Sequence, residues 1–154
     1  MSEPERFVLS FANLKAWCVR NDYEHQANDE LEQIALIYRL MDKLTPLMVI
    51  PQPGIFVFAM RQPYQVPPDR VAAVLTATNR LNALSFLGAW SVNEETREVF
   101  FRVAAIVDDV HYTDSSLLTL AQAVVGNSEK AMSTLHAIAT ENADAETALA
   151  ALIQ

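Results

Sequence analysis

The chain has 154 residues, 51% of them hydrophobic and only three of them glycine. That composition excludes a disordered segment and fits one packed domain spanning residues 1–154, able to bury roughly 70% of its unfolded surface. Its net charge of −8 and pI near 4.7 set up a negative field that opposes contact with phosphate backbones or anionic lipid, so neither nucleic acid nor a membrane is an expected partner.

The first helix is predicted from about Glu5 to Asn21, with Phe7, Phe11, Leu14 and Cys18 at helical spacing; Phe7-Val8-Leu9 reads equally well as a short extended arm. Asp22 to Asp29 is polar and reads as a loop. Ile34 to Leu40 alternates and is rich in β-branched and aromatic residues, which predicts a strand. Met41-Asp42-Lys43 breaks it, Leu47 to Ile50 is a second short strand, and Pro51-Gln52-Pro53-Gly54 is a strong turn signal. Ile55 to Met60 is a third strand with apolar residues on both faces, so both sides of part of the sheet are expected to be covered, by helices or by a second subunit.

Gln62 to Val66 reads as a loop. Pro67-Pro68-Asp69 opens the next helix, because proline lacks only an N–H that a first turn leaves unused, and Asp69 suits the positive end of the helix dipole. A hairpin follows: Leu87 to Val92, a polar turn at Asn93 to Arg97, and an alternating strand from Glu98 to Val107. Asp108 to Tyr112 reads as a loop. Thr113 is a plausible N-cap for a long helix from Asp114 to about Thr140, which Gly126 is placed to bend or interrupt. Asp144 to Ile153 reads as a short helix or a frayed end, so the core is placed at about residues 7–140.

No spacing here carries catalytic or metal chemistry. The three histidines, His25, His111 and His136, lack the close pairing of a metal site. Cys18 stands alone within an apolar helical pattern and reads as a packed thiol. Glycine-rich phosphate loops and nucleophile elbows are absent from the sequence. No enzyme activity, catalytic residue, metal or cofactor is expected. Arg102, inside an otherwise apolar strand, is expected to form a structural ion pair. The start MSEPER lacks the basic and apolar run of a signal peptide, no apolar stretch reaches a membrane span of about 18 residues, and a cytoplasmic location is expected.

The run from Val66 to Val103 resembles the bacterial YbjN family, the sensory transduction regulators, whose fold is similar to class I chaperones of type III secretion. The matching residues are Val66-Pro67-Pro68, Asn79-Arg80-Leu81-Asn82, Gly88-Ala89-Trp90 and Glu98-Val99-Phe100-Phe101-Arg102. Relatives often carry glycine where Arg97 stands, so a different or modestly strained turn is expected there. The resemblance implies an α+β, α-β-β-β-α-β-β-α two-layer sandwich with a mostly antiparallel sheet. It further implies a homodimer that acts in regulation or as a chaperone by holding a partner polypeptide at a sheet edge or in an apolar groove. Phe56, Phe58, Met60 and Trp90 are the candidate partner-binding residues. The alternative is a small-molecule binder or enzyme with a pocket near Arg102 and Asp108-Asp109.

Overall fold

The computed structural model describes residues 2–153. Strand β1 (Phe7–Val8) precedes helix α1 (Phe11–Arg20), followed by β2 (His25–Asn28), β3 (Gln33–Leu36), a small hairpin of β4 (Arg39–Leu40) and β5 (Lys43–Leu44), β6 (Leu47–Gln52) and β7 (Ile55–Gln65). A 3-10 turn at Pro68–Arg70 leads into α2 (Val71–Leu84), and β8 (Ala89–Asn93), β9 (Glu98–Ile106), β10 (His111–Tyr112), α3 (Asp114–Thr140) and α4 (Ala145–Ile153) complete the chain. The main sheet runs β2-β3-β6-β7-β9-β8, every pairing antiparallel, with the helices layered on one side. This is the expected α+β class.

Alternation decides which side is covered. Along β7 the even positions Phe56, Phe58 and Met60 point under the helices and are almost fully buried, as are Val99, Phe101 and Val103 on β9. They meet Leu117, Val124, Met132 and Leu135 of α3 and Val74 and Ala77 of α2 in one continuous core. Among apolar cross-strand neighbours, Trp90 and Phe101 pair edge to face, their ring centroids 5.2 Å apart.

Several expected boundaries move. Helix α1 starts at Phe11, because the Ser10 side chain accepts from the Asn13 N–H at 3.1 Å and caps it there. The preceding Phe7–Val8 is the extended arm, paired with His111–Tyr112 in a stretch expected to be loop. His25–Asn28, also read as loop, is the edge strand β2; its polar residues fit a strand whose outer side faces water. The Ile34–Leu40 run breaks after Leu36, and its last two residues pair with Lys43–Leu44 in the β4–β5 hairpin, turned by positive φ at Met41 and Asp42. Strand β7 continues through the expected loop to Gln65, with a register irregularity between Arg61 and Gln65.

Helix α3 begins at the expected cap, where Thr113 and Ser116 form a reciprocal capping box. It passes through Gly126 without interruption. The core extends beyond residue 140: α4 buries Leu149 against the other helices. Arg70 ties the far end of α3, its guanidinium donating to Ile138 O and Ala143 O, both at 2.9 Å.

Candidate functional site

Among the described residues, no helix covers the side of the sheet opposite the core. Its surface is made by the alternate residues of the same strands: Ile50 of β6, Ile55, Val57 and Ala59 of β7, Phe100 and Ala104 of β9. Cross-strand register aligns them in rows, Ile50 beside Val57 beside Ala104, and Ala59 beside Arg102 beside Ala89. Small side chains at Ala59, Ala89 and Ala104 lower the surface between Phe100 and the Ile50–Val57 ridge. The result is an open trough of about 1050 Å³.

Arg102 lies in this trough. Both its cross-strand neighbours are alanines, which leaves the long side chain over a floor of methyl groups. The ion pair expected for it does not form: among the described residues, the ion pairs join Lys15–Asp29, Arg20–Asp114, Arg61–Glu98, Arg80–Glu146 and His136–Glu141. No carboxylate lies opposite Arg102 on either neighbouring strand. An exposed guanidinium with apolar surroundings is a donor fork available to a carboxylate or phosphate from outside.

The residues expected to bind a partner are elsewhere. Phe58 and Met60 are 0% exposed and Phe56 and Trp90 are 6% exposed, all beneath the helices. Presenting them to a partner requires opening the core, so they are core residues, and the available face is the one their odd-numbered neighbours form. Apolar content marks these strands on both faces, and which parity meets the helices is decided by tertiary packing. Asp108 does not join Arg102. It lies two residues beyond β9, beside the β6–β7 turn, where its Oδ2 is 4.0 Å from the Cβ position of Gly54.

The edges of the sheet differ in what they offer. At β8 the outward N–H and C=O of Trp90 are already taken: the N–H donates to Asn82 Oδ1 at 2.6 Å, and the C=O accepts from Asn82 Nδ2 at 2.9 Å. The Asn82 amide therefore occupies the place of an added strand at Trp90, near the start of β8, and hinders strand addition there. Sequence reasoning placed Asn82 in a family motif but assigned it no job.

The fold is similar to that of YbjN. The crystal structure of that E. coli protein, a candidate transcription regulator, matches with a TM-score of 0.60 and 13% sequence identity, covering 85% of this chain and 91% of that one. The likeness to YbjN is one of fold. No family model matches the sequence, and no curated protein matches it.

Titratable groups add little chemistry to the bare face. Burial pushes the Cys18 thiol up to about 11, so it is a protonated, packed side chain at neutral pH. Tyr64 is pushed higher still by burial, against the edge of His136 at 5.2 Å. Among the described residues no three His, Cys, Asp or Glu side chains gather as metal ligands, and no helix is long and apolar enough to cross a membrane.

Proposed function

We propose that the chain is a YbjN-like, non-enzymatic, cytoplasmic protein-binding module that works as a homodimer and holds an extended partner polypeptide, in a regulatory or chaperone-like role. The observation that carries this reading is the bare sheet face with Arg102 in its trough. From strand spacing and rise the face projects to roughly 500 Å², within the size range where an exposed apolar patch serves binding. An occupant that follows the trough needs apolar side chains for Ile50, Val57 and Phe100 and a carboxylate for Arg102.

Charge favours the same occupant. Among residues on this face Arg61 and Arg102 outweigh Glu98, whereas the whole chain carries −8. With Arg61 paired to Glu98, Arg102 is the face's net positive charge on an acidic molecule, suited to one acidic side chain of a peptide. The overall negative field opposes direct contact with DNA, so a regulatory role here runs through protein partners.

The test is binding of wild type and Ile106→Asp to an array of short peptides. Ile106 is 56% exposed on this face, so its replacement leaves the core intact. Wild type is expected to select peptides combining apolar residues with an acidic one, and the variant to lose them. Equal binding by both proteins would reject the face as the site. A second reading, an anionic small molecule at Arg102, draws support from the trough's volume. A mass shift in native mass spectrometry that disappears in Arg102→Ala would favour it.

A further inference from the structure

The connector between α2 and β8 holds an aromatic ring entirely in solvent. Phe86 is 105% exposed, and Leu84, Leu87 and nearby Ile153 are 54%, 43% and 52% exposed. This connector is pinned on both sides. The Ser85 N–H donates to Asn82 O, its Oγ lies 3.2 and 3.1 Å from Leu87 O and Gly88 O, and Gly88 is pressed onto β9. Phe86 is thus presented at the apex of a tied loop, forgoing the stabilisation that burying such a side chain contributes.

One residue from Phe86 a depression of about 330 Å³ opens between α2, α3 and α4, lined by Leu81, Leu84, Trp90, Ala131 and Leu152. We propose that a second copy of this chain covers this corner, each Phe86 entering the depression of the other copy about a twofold axis. The proposal rests on the homodimer reading above and specifies its surface.

Three observations converge on a second copy. A knob and an apolar hollow side by side on one patch are self-complementary, as a twofold interface requires. The thirteen residues from Leu81 to Asn93 carry no charge, and the depression's only charged lining residue is Lys130, so this corner escapes the like-charge repulsion that a net charge of −8 otherwise imposes on self-association. Burying two phenylalanines at about 150–250 Å² each, with the half-exposed aliphatic residues around them, brings the pair to roughly 1,000 Å², where specific interfaces begin. The Asn82 amide hinders a competing route, strand pairing at β8, by holding the outward groups of Trp90.

Sedimentation equilibrium of wild type, Phe86→Asp and Ile106→Asp tests this, with circular dichroism melts of each to confirm folding. Wild type and Ile106→Asp are expected to dimerise alike, and Phe86→Asp to weaken the dimer by about 30-fold or more. A wild-type dimer untouched by Phe86→Asp overturns this placement and leaves the homodimer reading standing. A wild type that is monomeric at its highest soluble concentration overturns both.

Discussion

The side-chain amide of Asn82 holds both outward backbone groups of Trp90, at 2.6 and 2.9 Å, and so occupies the β8 edge of the sheet at that residue. This relationship separates two modes of partner capture. It obstructs strand addition at β8 and leaves the face open.

Asn82→Ala should therefore have two effects. It leaves a half-buried N–H and C=O unpaired, a loss of about 1–3 kcal/mol read from the urea midpoint. It also uncovers a short neutral strand edge, so light scattering should rise with concentration above wild type. A variant with wild-type stability would show that water replaces the amide without loss.

Two glycines predict opposite outcomes for the same substitution. At Gly88, with φ +83°, an added Cβ lies 2.6 Å from Arg102 O and 2.7 Å from Val103 Cγ2, so Gly88→Ala should cost about 2–4 kcal/mol. At Gly126, within α3, an added Cβ meets nothing within 4 Å. Gly126→Ala should stabilise by about 0.5–1 kcal/mol. Thermal melts of the two single variants decide both.

Arg97 sits in the left-handed region at φ +59° and closes the hairpin turn, its N–H donating to Asn93 O. The strain expected at this position is present. The turn keeps Arg97 because the residue also reaches outward: the Val66 N–H donates to its carbonyl at 2.8 Å, and its guanidinium donates to Val66 O at 3.3 Å. Arg97→Gly relieves strain and gives up the side-chain bond, so its melting temperature should match or slightly exceed wild type. Arg97→Val, β-branched in the same conformation, should lose about 1–2 kcal/mol.

Asp114 links the start of α3 to the end of α1. Arg20 donates to it from Nε at 2.9 Å, and that bond, helped by one from Asn21, holds the carboxyl below its ordinary value of 3.8. A folded-state pKa below the unfolded one adds stability above pH 3.8 that disappears as pH falls through the lowered value. The pair is partly solvated, so the amount is at most about 1 kcal/mol. Urea midpoints between about pH 5 and pH 2 should fall less steeply for Asp114→Asn than for wild type.

Legibility from sequence followed the strength of the local signal. The β8–β9 hairpin, the proline start of the segment before α2 and the Thr113 cap were readable because alternation, proline and a capping hydroxyl each act within a few residues. Strand β2 was not, since His25 to Asn28 is polar and exists as a strand only because β3 supplies its hydrogen bonds. Apolar residues on both faces of Ile55 to Met60 predicted cover on both sides of the sheet, and the helices of this chain supply it on one side. Which parity lay outside depended on where α2 and α3 pack, and the candidates Phe56, Phe58 and Met60 fell on the inside. The solvent exposure of Phe86 was equally hidden, because Leu84 to Leu87 reads as an ordinary apolar segment until the chain turns it outward.

Charge reversal at Arg102 tests the central claim, that the bare face holds a polypeptide, most directly. Arg102 is exposed and in none of the ion pairs among the described residues, so Arg102→Glu should fold like wild type. On an array of matched peptides differing only in one acidic or basic residue, wild type should favour the acidic member of each pair, and Arg102→Glu should favour the basic one. An unchanged preference in the variant would contradict the account and place the binding surface elsewhere on the molecule.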